Sequence, residues 1–416
     1  MIINDVTTPV VVLNCKLGGL SIMRSLGSQG VTIYGVDADR NSPAMTSRYC
    51  RRKFLMDLDE KNPDRLLKYM LEIGRGIGRT AVLIPTSDET SVFVAEHQAV
   101  LAEHYVFPQN PPELIKQLMD KKGMYELALE HNIPTPHTEF PQNLSQVENY
   151  AAQAKFPVML KGILGNRLQQ RTGRKMVLVH SAEELIKNYK LLEDPDDPNL
   201  MLQEAIPGGD DEVYIFNGYF DRDSNCISPH TGHKIRQFPV HVGCASLGAC
   251  VWNENVARLT MDFMMAIGYR GILDIGYRLD PRDGKYKVLD INPRVGQAFR
   301  MFVARDDTDV VRDLYLDLTG QVRWPATGRE GRRWMIEDFD VISSLDYYRE
   351  GSLTLGQWVR SFKGLEEALW FNRKDPWPFV RMSAGLLKRA AGSVLRRLGI
   401  IKTKAAPAVL QKVPGV

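Results

Sequence analysis

Residues 285–294 bring together more side chains fit for chemistry than any other stretch of this chain, ending in Asp290, Asn292 and Arg294. Residues two apart in a strand point to the same side, so these three are expected in a row on one face. Carboxylate and amide oxygens suit magnesium, and a guanidinium beside them suits a phosphate or a carboxylate. Upstream, residues 271–277 form a second strand-like run carrying another acid, Asp274. The turn signal at residues 280–284, Asp280 and Pro281 through Gly284, predicts that the two runs pair as a hairpin. Two acids on paired strands, with Asn and Arg following, read as a metal–phosphate site. The plainer alternative is an edge hairpin with solvated charges.

Further candidates lie upstream. Lys161 closes an apolar strand-like run at residues 156–162, where its ammonium either meets an anion such as phosphate or snorkels to solvent. Residues 166–175, ending in Lys175, read as a basic loop, either a flap over phosphates or a solvated loop; the spacing is not that of a Walker loop. Gln203, Glu204, Ala205 and Ile206 form a strand end whose backbone suits an adenine edge. Glu212, a turn later, suits ribose hydroxyls, or else the segment is an acidic surface turn. Alternation across residues 233–237 puts Lys234 and Arg236 on one face, as an anion site or as charges guarding an edge strand. His233 is isolated and reads as structural, without zinc-ligand spacing around it.

Behind these residues stand elements of an α/β chain. Residues 9–13, a helix through Leu26 and residues 31–37 make a βαβ unit of a parallel sheet. The strand at residues 81–85 ends in Thr86, Ser87, Asp88 and Glu89 at a helix start, a position where such sheets bind ligands. At 416 residues the chain exceeds one core. Its net charge of +3 implies no bulk attraction to nucleic acid. Five scattered cysteines without a Cys-x-x-Cys pair suggest neither zinc knuckle nor disulfide framework, and fit a reducing cytosol. The N-terminus lacks the basic start of a signal peptide, and no run of about twenty apolar residues occurs.

Taken in order, Asp120-Lys121, Pro157 with Lys161, Gln203-Glu204 with Pro207-Gly208, and Asp290 with Asn292, Pro293 and Arg294 resemble the ATP-grasp superfamily. Residues 24–27, 47–50, 84–89 and 234–237 are similar to its carboxylate–amine ligase branch, with a weaker echo at Trp334 and Asp375-Pro376. The resemblance implies a pre-ATP-grasp parallel-sheet domain at 1–112, an ATP-grasp domain of two subdomains, α+β in character, at 113–320, and a helical C-terminal extension at 321–380. Residues 381–416 remain as a basic amphipathic helix and tail. It also implies ATP with Mg2+ or Mn2+ and small carboxylate and amine substrates, at a cytoplasmic site. Lys121 and Lys161 then match phosphate-holding lysines, and Glu204 and Ile206 the adenine hinge. Glu212 matches the ribose acid, and Asp274, Asp290 and Asn292 the metal ligands. Arg294 matches the arginine that steadies an acyl phosphate, and Lys234 or Arg236 a basic group near the transferred phosphate. Ser87, Asp88 and Glu89 are expected to shape the substrate pocket. Both metal acids are aspartates where glutamates are usual, which shortens their reach.

The implied activity is ATP-dependent activation of a carboxylate as an acyl phosphate, followed by amide formation. A carboxylase-like or phosphotransferase outcome, or a non-catalytic nucleotide-binding role in a cell-envelope assembly, is the alternative. The segment 381–404 places apolar residues at helical spacing among cations. It predicts either contact with an anionic membrane or acidic partner, or a helix packed on the body. A homo-oligomer is compatible with all of this.

Overall fold

The computed structural model describes residues 2–58, 62–174, 176–323 and 327–397. These divide into two compact units. The first draws on residues 1–119, 209–277 and 290–387, the second mainly on residues 120–208 and 278–289. The first unit thus gathers three separate stretches of sequence, the last of them running to residue 387.

In the first unit, a five-stranded parallel sheet places Cys50–Leu55, Ile33–Asp37, Val10–Leu13, Ala81–Pro85 and Tyr105–Val106 side by side in that order. Alternation decides its packing. Val10, Val12, Ile33, Val82 and Ile84 enter one core, and Val11, Leu13, Val36 and Leu83 enter another on the opposite face. The helix Leu17–Gly27 follows the first strand, as the βαβ pattern predicts. At its end Gly27 has no side chain because a Cβ there would lie 2.6 Å from the Cβ of Tyr49. Ser87 caps the helix Asp88–Glu96 with a reciprocal bond to Thr90, which fixes the start of that helix just past the strand Ala81–Pro85.

A seven-stranded sheet runs Lys285–Asn292, Gly271–Asp280, Val213–Phe220, His230–Phe238, Cys244–Cys250, Arg333–Met335 and Leu365–Ala368. The hairpin predicted at residues 271–294 is its first pair. Its turn closes through Gly284, whose φ of 70° suits glycine and whose N–H donates to the Asp280 carbonyl.

The second unit holds a four-stranded sheet ordered Thr138–Glu139, Leu200–Glu204, Val158–Gly162 and Met176–Val179. Val158, Leu160, Leu200 and Leu202 face a core with Val147, Leu185 and Tyr189. The period of two therefore turns Lys161, Met201 and Gln203 to the other face. Two expectations fail. The segment read as a basic loop forms the helix Gly165–Thr172, fixed by Arg167 pairing with Asp197 and by Arg171 donating to the Leu192 carbonyl. The C-terminal helix begins at Trp377, four residues before the expected start, because Pro376 and Pro378 tolerate a helix's first turn. Residues 398–416 lie outside the described residues.

Candidate active site

Within the first unit, the row expected from alternation is present. Asn292 Nδ2 donates to Asp290 Oδ2 at 3.4 Å, and Arg294 Nη2 donates to Asn292 Oδ1 at 3.1 Å. The strand ends at Asn292, and Arg294 is turned back by its N–H bonding the Asn292 carbonyl. Arg294 Nε also donates to Asp88 Oδ1 at 2.5 Å, so the capped helix start and the strand end meet at one guanidinium. Ser87 and Glu89 flank Asp88, both partly exposed. A cavity of about 60 Å³ beside Arg294 is lined by Pro85, Ser91, Asn110, Tyr269 and Val295 among others.

Asp274 stands in the same electrostatic cluster. Burial pushes its carboxyl up to about 6, with Arg294 and Lys234 opposing and Asp290 reinforcing the rise. Gly296 packs so closely that a Cβ there would fall 1.7 Å from Asp274 Oδ2. Burial lowers the pKa of Lys234, while Asp274 and Asp290 act to raise it. Its ammonium donates to the Gly243 carbonyl at 2.8 Å and to Gln237 Oε1 at 3.2 Å.

Arg236 is elsewhere. The strand slips register between Lys234 and Arg236, which breaks the alternation that predicted a shared face. Arg236 grips Asp340 through two 2.8 Å bonds, donates to Ser361 Oγ and lies over the Phe362 ring. With 3% exposure it is a structural ion pair, and the expectation that it serves an anion site is corrected. Glu212 ends a short 3-10 turn, Asp210–Glu212, also in the first unit.

The second unit holds the remaining candidates. Lys161 Nζ donates to Gln203 Oε1 at 2.7 Å. The Gln203 amide nitrogen donates to Tyr125 Oη at 2.8 Å and Thr138 Oγ1 at 2.9 Å, which leaves its oxygen aimed at the lysine. Lys121 opens the helix Lys121–Glu130, whose N-cap Asp120 accepts from the Gly123 N–H. Glu204 bonds Arg282 at 2.8 Å, Lys287 at 3.2 Å and the His137 N–H at 2.9 Å. Burial alone would raise its carboxyl; those three donors outweigh it and hold it below the usual range. The backbone N–H groups of Glu204 and Ala205 donate to the His137 and Pro157 carbonyls. Ile206 follows them, buried at 7% exposure. Lys175 lies outside the described residues.

Sequence reasoning passed over Lys287, Tyr125 and Arg282. Lys287 carried a readable signal: it alternates with Leu289 and Ile291, and a cation among inward apolar positions requires acids, here Glu204 and Asp280. Tyr125 gave none, since only the fold brings it to Gln203.

Do these residues fit a divalent cation? Asp274, Asp290 and Asn292 offer only hard oxygen donors, the set magnesium or manganese takes. The Asn292 oxygen keeps a lone pair beyond its bond to Arg294, and the Asp274 carboxyl, raised chiefly by burial and further by Asp290, is a group that a bound cation would hold ionised. Among the described residues no group of three or more His, Cys, Asp and Glu gathers as a metal cluster, so a site here would need the Asn292 amide beside the two acids. The set fits.

No known family profile matches the chain. Its sequence is similar to D-aspartate ligase of Enterococcus faecium (strain Aus0004), 26% identical over 293 residues, which is 66% of this chain and 68% of that one. Its fold matches the biotin carboxylase domain of Hydrogenobacter thermophilus 2-oxoglutarate carboxylase, a structure holding MgADP and bicarbonate. The TM-score is 0.57 at 17% identity, over 78% of this chain and 72% of that one. It also matches an L-amino acid ligase from Bacillus licheniformis, with a TM-score of 0.55 at 14% identity, over 76% and 75%. The fold is that of the ATP-grasp enzymes. Within that class, the sequence likeness is to an ATP-dependent carboxylate–amine ligase.

Proposed function

We propose that this protein activates a small carboxylate, such as that of an amino acid, by transferring the terminal phosphoryl group of ATP to it, and that an amine then displaces phosphate to give an amide. The carrying observation is the hydrogen-bonded row Asp290–Asn292–Arg294, with Asp274 and Lys234 in its field. In the first step a carboxylate oxygen bonds to phosphorus and ADP leaves. In the second the amine nitrogen bonds to the acyl carbon, the C–O bond to phosphate breaks, and the amine loses a proton. A divalent cation bound by Asp274, Asp290 and Asn292 would neutralise charge on the transferring phosphoryl group.

The chain's own groups account for the rest. Arg294 orients the acyl phosphate oxygens, and Asp88 fixes the direction of the guanidinium. Lys234, partly buried, offers a cation to the same oxygens. Lys121 and Lys161 hold the nucleotide phosphates, with Gln203 setting the direction of Lys161. Ile206 serves the base, Glu212 the ribose, and Ser87, Asp88 and Glu89 the substrate. The likeness to D-aspartate ligase supports an amino acid as one substrate.

The test is ADP release measured against a panel of D- and L-amino acids, other carboxylates and amines, with product mass determined. Release that requires both a carboxylate and an amine, and a product lighter by one water than their sum, is expected. Asp290→Asn and Asn292→Ala should each abolish magnesium-dependent turnover with the fold intact. Release that depends on bicarbonate and no amine would overturn the ligase reading.

A further inference from the structure

The helix Trp377–Arg397 has two differently committed faces over its described side chains. Phe379, Met382 and Leu386 pack into the core of the first unit. Trp377, Val380 and Leu387 are 62%, 48% and 72% exposed, and Arg381 and Ala384 stand exposed among them. At 3.6 residues per turn these five fall within an arc of about 120°. Phe371, 57% exposed, precedes the helix with the exposed cations Arg373 and Lys374.

The neighbouring surface is rich in cations. The strand Cys50–Leu55 is an edge of the parallel sheet, and Arg51, Arg52 and Lys53 on it are exposed. Lys53, Thr46, Trp377 and Arg381 line an open cleft of about 320 Å³, and Arg48 donates to the Lys374 carbonyl, so strand and helix form one patch. From Arg373 to the last residue the sequence holds ten Lys and Arg and one acid, Asp375. That acid is fully buried on Arg24, so it does not offset the exposed cations.

Apolar side chains standing among these cations are not explained by a solvated helix. Solvation suits the cations and leaves Trp377, Val380 and Leu387 in water. We infer that this patch docks peripherally on an anionic phospholipid bilayer, Trp377, Val380 and Leu387 entering the headgroup layer while Lys53, Arg381 and their basic neighbours meet lipid phosphates. The charge complementarity decides the partner: an acidic surface is required, and a bilayer supplies acidic headgroups and an apolar layer together. No helix among the described residues is long and apolar enough to cross a membrane, which agrees with contact at the surface.

The experiment is flotation of the full-length protein with vesicles of phosphatidylcholine alone and of phosphatidylcholine with phosphatidylglycerol, at low and high salt. Binding is expected only to the anionic vesicles and should weaken as salt rises. The pair Lys53→Glu with Arg381→Glu should weaken partition roughly thirtyfold or more, since each surface cation contributes about fivefold. Trp377→Phe in the same vesicles carrying brominated lipid should lose the fluorescence quenching that the parent shows. Thermal melts of the variants guard against misfolding, and every substituted side chain is exposed. Equal binding to neutral vesicles, no binding at low salt, or charge reversal without effect would each overturn the inference. A soluble acidic protein as true partner would show as the second of these outcomes. None of these residues belongs to the ligase site, so failure here leaves the ligase reading standing.

Discussion

Asp375 is a single carboxylate on which the first unit closes. It is fully buried and accepts from Arg24 Nε at 3.0 Å, Ser47 Oγ at 2.8 Å and the Arg48 N–H at 2.9 Å, while Arg24 also donates to the Trp370 carbonyl. Removing one partner of a buried pair strands the other, at about 3–5 kcal/mol. Asp375→Ala is therefore expected to lower unfolding free energy by that order in chemical denaturation, and a loss under about 1 kcal/mol would contradict the assignment. Under the proposed function Lys161 is the opposite case, a cation that serves ATP rather than the fold. Lys161→Ala should leave the melting profile nearly unchanged and weaken ATP binding by roughly 1.5–3 kcal/mol in calorimetry. Unchanged affinity would return it to a structural role with Gln203. The sequence made both residues conspicuous but could not sort them. Arg24, Ser47 and Asp375 stood out through family likeness, yet their job is mutual and depends on residues about 350 positions apart coming together, which no local pattern encodes.

At the scale of elements, periodicity did most of the work where a segment alternates cleanly. The hairpin at residues 271–294, the parallel strands and the inward and outward sides of Leu160 and Lys161 all follow from a period of two. It failed where the strand itself departs from that period, as at the bulge between Lys234 and Arg236, and where tertiary ion pairs made a polar segment helical at Gly165–Thr172. The turn between His230–Phe238 and Cys244–Cys250 shows chemistry of this kind. There His241, at a φ of 63°, sits 3.2 Å from Asp210 and 2.9 Å from Glu350. Partial burial opposes its protonation, but the two carboxylates outweigh that and raise its pKa above 6.5. The charged contact stabilises fully below pH 6.5 and is lost as pH rises through the raised value. Denaturant midpoints should therefore fall across that interval, and His241→Gln should flatten the fall while matching the parent at higher pH. Parallel profiles would show that the histidine does not carry the dependence.

At the scale of the molecule, the chain is two units written discontinuously. Composition and length announced more than one core, but not that residues 1–119, 209–277 and 290–387 build one of them together. A domain order can be read from motifs in sequence, whereas the clustering depends on which faces find partners. One core spans from Ile3 to Met382 and includes Val10, Val12 and Ile33 of the sheet with Tyr315, Trp334 and Trp370. This sets a timetable for synthesis. Arg24 leaves the ribosome 351 residues ahead of Asp375, and at about 5–20 residues per second the interval is roughly 20–70 s. Throughout it the core of the parallel sheet lacks its last partners, Met382 among them, and Arg24 and Ser47 have no carboxylate. The newborn chain, more than the finished enzyme, is thus the form that needs shelter from aggregation, and slower translation prolongs its exposure.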